Sequence, residues 1–164
     1  MPLAEPRRQQ TRTRETRAAI LAAARALALA EGLGALRAER IAAAAGIAKG
    51  TVFAHFPDMG HLTAALSAER IAALPLLPPV ATVEALVAAL WPLFDLLAGD
   101  GAVAAALSRF AGPEGAELGV EGAVCAQLAQ VAGAIAALQA RGAAAPGAPD
   151  ERAEGVLAFV VHAA

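Results

Sequence analysis

The side chains able to do covalent or metal chemistry are few in this 164-residue chain, and their spacing is poor. His55, His61 and His162 form neither a His-Glu-x-x-His motif nor any short metal-ligand spacing. The single Cys125 excludes an internal disulfide framework and a cysteine-rich zinc site, and is expected to be a small core hydrophobe. Ser67 and Ser108 lack nucleophile-elbow flanks, and no glycine-rich phosphate loop follows a strand. These patterns argue against an enzyme and imply no metal and no cofactor.

Positive charge, by contrast, is concentrated. Residues 1–56 hold nine Lys/Arg against four Asp/Glu, and residues 57–164 hold four against eleven. The net charge of −2 therefore hides a head of +5 on a body of −7. Such a head suits a polyanion that the body does not meet, the simpler alternative being a solvated basic tail. The only lysine, Lys49, lies in the run Ile41-Ala-Ala-Ala-Ala-Gly46-Ile-Ala-Lys49-Gly50-Thr51-Val-Phe53-Ala-His55-Phe56. This reads as a short helix, a tight turn around Gly46 and a second short helix. In that layout one helix braces on phosphates while the next offers its first residues to the major groove. Gly46 permits a left-handed turn and Ile47 can plug the angle between the helices. Lys49, Gly50 and Thr51 fall in a first turn whose free N–H groups favour phosphate.

The elements that must position these residues are helical. Hydrophobic residues make up 58% of the chain, about half of them alanine, with five Phe, one Trp and no Tyr. That composition excludes disorder and disfavours strands, while Ala, Leu, Glu and Arg lose little entropy in a helix. We expect a flexible arm over 1–12, a helix from Thr13 to Glu31 ended by Gly32 and Gly34, and short helices over 38–45 and 49–55. Asp58 should cap a helix over Met59–Ala73, after which Pro75-Leu-Leu-Pro-Pro79 forms a rigid linker. Beyond it, Thr82 should cap a helix reaching Ala98 that is kinked at Pro92, followed by a short helix ending near Phe110. A long helix over 117–141, a Gly/Ala/Pro linker over 142–149 and a last helix from Asp150 complete the reading.

Two stretches imitate export signals without being one. Arg25 interrupts the apolar run from Ala18 to Ala30, and Arg7-Arg8 has no hydrophobic run close behind it. Glu84, Asp95 and the prolines interrupt the apolar region over 71–98, so no membrane association is expected and the protein should be cytoplasmic.

The residues Ile20-Leu21, Ala23-Ala24, Leu27, Gly32, Ile41-Ala42, Ala45-Gly46-Ile47, Lys49-Gly50-Thr51-Val52-Phe53, His55-Phe56, Asp58 and Leu62 resemble the TetR-type transcriptional regulators, in register and without a gap. The resemblance is close over residues 14–74. It departs at Arg37 and Ala48, where the family has capping Thr and Ser, at Phe53 in place of Tyr, and at Met59 in place of Lys. Losing the Ser cap costs about 1 kcal/mol. The Tyr hydroxyl and the Lys would each have reached the DNA backbone, so these departures bear on affinity more than on the mode of binding.

The resemblance implies an all-α protein: a three-helix head with a helix-turn-helix, and a long helix joining it to a helical-bundle body. The DNA-binding domain would span 11–74, with the helix-turn-helix over about 37–56, and 75–164 would bind an effector and dimerise. Carried over by position, DNA contacts fall on Arg37, Glu39, Arg40, Lys49, Gly50, Thr51, Phe53 and His55. Each has a plainer reading: Thr51 as helix surface, Phe53 and His55 as core, Glu39 as a carboxylate paired to a neighbouring cation. In the body, Trp91, Phe94, Leu107, Phe110, Cys125, Leu128, Val131 and Ile135 either close-pack or line an apolar cavity between helices. The resemblance favours a pocket for a mainly apolar small molecule, oriented by Ser108, Arg109, Gln127 or Gln130.

A homodimeric, ligand-released repressor reading a palindromic operator is therefore expected. The alternatives are a helical small-molecule carrier or scaffold, and an architectural DNA binder without effector. The last helix is still apolar at Leu157, Phe159, Val160 and Val161 where the sequence stops. This suggests part of a longer chain, which as written should dimerise weakly.

Overall fold

A computed structural model describes residues 5–110 and 112–163, the side chains of 5–9 and 160–163 excepted. The described chain is all-helical and divides into two compact units, residues 1–66 and 67–164. The division falls inside a helix.

In the first unit, α1 (Glu5–Glu31) is followed by a 3-10 turn (Leu33–Ala35), α2 (Ala38–Ala45), α3 (Lys49–His55) and the first half of α4 (Met59–Ala72). The flexible arm expected over 1–12 is corrected from residue 5 onward, because α1 already runs there. Pro6 stands in the first turn, where its missing N–H costs nothing, and the Arg and Gln that follow are good helix formers. Gly32, with φ of 83°, ends α1 as its N–H donates to the Ala28 carbonyl at 2.8 Å. The residues buried here include Ile20 and Ala24 of α1, Leu33 and Leu36 beside the 3-10 turn, Ile41 of α2, Val52 of α3, and Phe56. Each large apolar side chain so buried contributes about 1.5–3 kcal/mol.

The second unit holds the end of α4, then α5 (Val83–Ala89), α6 (Trp91–Gly99), α7 (Gly101–Arg109), α8 (Pro113–Glu117), α9 (Val120–Ala140) and α10 (Pro149–Ala163). Thr82 caps α5 by accepting from the Ala85 N–H at 3.2 Å. The kink expected at Pro92 is a break between α5 and α6 at Leu90, since Pro92 has no N–H to continue the ladder and serves instead in the first turn of α6. Asp100 starts α7 by accepting from the Ala102 N–H, and α7 turns 89° away from the α5–α6 direction. The helix expected over 117–141 begins at Val120, because Gly119 at φ 82° separates it from α8.

The core of this unit joins Val80, Leu86 and Leu90 to Val131, Ile135 and Leu138 of α9. α10 packs along α9. By length and composition alone α9 could cross a membrane. Yet it buries Val131, Ile135 and Leu138 within the unit, and its buried Gln127 donates to the Ile71 carbonyl at 3.3 Å.

Candidate nucleic-acid interface and effector cavities

The turn between α2 and α3 is built by glycine. Gly46 takes φ 66° and ψ 33°, its N–H donates to the Ala43 carbonyl, and the Ile47 N–H reaches back to the Ala42 carbonyl at 3.0 Å. This paired closure satisfies two orphan carbonyls of α2 and fixes how the chain enters α3. Neither helix has a side-chain cap, as Arg37 and Ala48 imply. Val52 faces inward and is buried, while Lys49, Gly50, Phe53 and Ala54 form the exposed face of α3. Thr51 and His55 flank that face and are half-buried. Phe53 is 38% exposed, so it is no core residue. On α2, Arg37, Glu39 and Arg40 are all exposed.

The structure brings several of these side chains into pairs. Lys49 Nζ lies 2.5 Å from Glu39 Oε1 and 5.9 Å from the Phe53 ring centroid. Arg40 grips Glu31 with both ends of its fork, Nη2 donating to Oε1 at 2.7 Å and Nη1 donating to Oε2. The hydrogen bond from Lys49 holds the Glu39 carboxyl below the usual carboxylate range, and that from Arg40 does the same for Glu31. Glu31 in turn raises Arg40 above the usual guanidinium value. Arg37 Nη1 donates to the Leu36 and Gly34 carbonyls at 2.7 and 3.1 Å.

Arg17, one of the nine basic residues of the head, turns inward. Its Nη1 donates to the His55 carbonyl at 3.0 Å, satisfying the end of α3, and its guanidinium lies over Phe56. The roles of Arg17 and Glu31 escaped the sequence reading. Arg17 is 38 residues from His55 and Glu31 nine from Arg40, so neither contact has a helical-spacing signal. The cap read at Asp58 is present, accepting from the His61 N–H at 2.9 Å.

In the body the single apolar cavity expected from the sequence is replaced by two. Trp91, Phe94 and Ile135 line one of about 640 Å³, and Leu107, Phe110, Cys125 and Leu128 line another of about 470 Å³. α10 accounts for the division, since Arg152, Val156 and Phe159 face the first cavity and Glu154, Leu157 and Ala158 the second. Val131 lines neither of these two and is core, 2% exposed. Cys125, expected to be buried, is exposed. Of the proposed orienting groups only Ser108 lines either of these two cavities. Gln127 is spent on Ile71, the Gln130 side chain accepts from the Leu77 N–H at 2.9 Å, and Arg109 lies over Phe110. The first cavity has an exposed apolar rim, with Trp91 packed edge-on to Phe94 at 5.3 Å and 55% exposed, and Phe159 71% exposed. Val160 and Val161 have side chains outside the described residues.

A basic, all-helical head with this turn and this exposed face on α3 is a helix-turn-helix DNA-binding domain. Residues 20–66 match the model of the family described as bacterial regulatory proteins, tetR family, a match that covers this head. In structure the chain is similar to Salmonella enterica GusR, at 23% identity and a TM-score of 0.56, over 99% of this chain and 84% of that one. That likeness is one of fold. No curated protein matches the chain in sequence.

Proposed function

We propose that this DNA-binding regulator is a homodimeric, cytoplasmic repressor that reads a palindromic operator and is released by a small, mainly apolar effector. The observation that carries the reading is the common exposure of Lys49, Gly50 and Phe53 on α3 beside Arg37, Glu39 and Arg40 on α2, in the basic half of the chain. Lys49, Arg37 and Arg40 suit phosphate, while Thr51 at the margin of the α3 face suits a base edge. Residues 11–74 would form the DNA-binding domain and 75–164 the effector-binding and dimerisation domain. Two recognition helices must sit about 34 Å apart to enter successive major grooves. α4 runs from one unit into the other, so an effector that favours another setting of α4 would spoil that spacing and lower affinity.

The cavity between α5, α6, α9 and α10 is the favoured effector site, because its volume suits a small ligand and its lining is almost wholly apolar. Selection of bound sequences from random duplex DNA tests the reading. A palindrome with half-sites one helical turn apart supports it. Duplex binding without sequence preference points to an architectural DNA binder, and absence of salt-dependent binding to a carrier or scaffold.

A further inference from the structure

Two cations of the α2–α3 surface are engaged by carboxylates of the same unit. Lys49 Nζ meets Glu39 Oε1 at 2.5 Å, and Arg40 is forked on Glu31. The four side chains are between 42% and 62% exposed, so neither pair braces the core. Exposed ion pairs of this kind add little to stability. Nor is the α2 dipole a full account, because only Glu39 lies in a helix first turn, and Glu31 is the last residue of α1. There its carboxylate meets the negative end of the helix, which disfavours it unless a cation is at hand. What the pairs share is a surface cation of the basic head already held by a carboxylate.

We propose that Glu39 and Glu31 are built-in competitors of DNA phosphate, each of which must be displaced before Lys49 or Arg40 can grip the backbone. The proposal rests on the DNA-binding reading of the head. Its physical basis is that sequence-independent binding is almost entirely phosphate electrostatics. A cation already paired contributes to it only by exchanging one oxyanion for another. The freed carboxylate is then left near the backbone and is repelled. Both effects hold down affinity for arbitrary duplex, where no base contact offsets the loss.

The test measures binding of the full chain to a mixed-sequence duplex by fluorescence anisotropy across a salt series. Glu39→Gln keeps the size and the acceptor oxygen of the side chain but loses its charge. It is expected to tighten binding about twofold to fivefold at low salt, and to steepen the slope of log K against log salt by at most about 0.9. Glu31→Gln should act in the same direction. Glu15→Gln, which removes one charge from the same unit but from neither pair, should do less. The gain from Glu39→Gln should shrink in a Lys49→Ala background, because no lysine remains to be freed.

An equal gain with and without Lys49, or a gain no larger than that of Glu15→Gln, overturns the proposal in favour of a general charge effect. Weaker binding by Glu39→Gln overturns it by making Glu39 itself a DNA contact. If the unaltered chain shows no salt-dependent duplex binding, the DNA-binding reading fails, and the proposal with it. That outcome is distinct from normal binding that ignores Glu39.

Discussion

The Arg17 guanidinium lies 4.1 Å from the centroid of the Phe56 ring while its Nη1 donates to the His55 carbonyl. One side chain of α1 thus closes the C-terminal end of α3 and stacks on the residue that follows it. Phe56 is 1% exposed, so the stacking is shielded from water on the ring side, where a cation over an aromatic face is strongest.

Arg17→Ala should therefore cost stability rather than charge-driven affinity. The loss is expected to be about 1–2 kcal/mol, from a charge-assisted hydrogen bond to a helix-end carbonyl and the ring contact. Denaturant unfolding measures it. The salt slope of duplex binding should stay unchanged, and a slope flattened as much as by loss of a phosphate contact would make Arg17 a backbone contact.

Lys49→Ala is expected to behave in the opposite way. It should leave stability nearly intact, weaken specific and arbitrary duplexes alike, and flatten the salt slope by up to about 0.9. Thr51→Ala should instead change the preference between sites, because a base-edge contact carries sequence information and a phosphate contact does not. Equal losses on all sequences after Thr51→Ala would make its role structural.

The Glu39 carboxyl should titrate below the usual carboxylate range in the free protein, and Lys49→Ala should move it back up, since the Lys49 hydrogen bond is the largest cause of the shift. A depressed folded value means that the pair's contribution is present above the unfolded carboxylate value and is lost as pH falls through the depressed one. Both partners are exposed, so salt screens the contribution and the carboxyl chemical shift reports it better than melting does. A midpoint unmoved by Lys49→Ala would remove Lys49 as the cause.

Gly115→Ala should be among the costliest single changes in the body. An added Cβ would sit 1.8 Å from the Phe110 carbonyl oxygen, a backbone atom that cannot swing aside. A loss of about 3 kcal/mol is expected, read by thermal or denaturant unfolding. A fully stable variant would mean that the Phe110–Gly115 approach relaxes freely.

Trp91 offers a direct report on the first cavity, which it lines. A ligand entering that space should change its emission, and the same ligand should release duplex DNA if the sites are coupled. Changed emission with unchanged DNA affinity would separate the cavity from the head.

The sequence by itself determined the all-helical class and much of the local punctuation, though not where α1 and α9 begin. Gly46 takes the left-handed turn read for it, Gly32 ends α1 as expected, and Asp58 and Thr82 cap as their positions imply. α2 and α3 begin and end where the spacing places them. These features depend on neighbours within a few residues, so they are legible locally. Only the tertiary structure decided which partners the charged side chains took: Glu39 for Lys49, Glu31 for Arg40, and the α3 terminus for Arg17. Each joins different elements, and composition cannot say which of several carboxylates or carbonyls a flexible arginine will reach. The cavities follow the same rule. Trp91 and Cys125 are both apolar by type, but α10 lays its two sides on two separate spaces, and that depends on how it packs along α9.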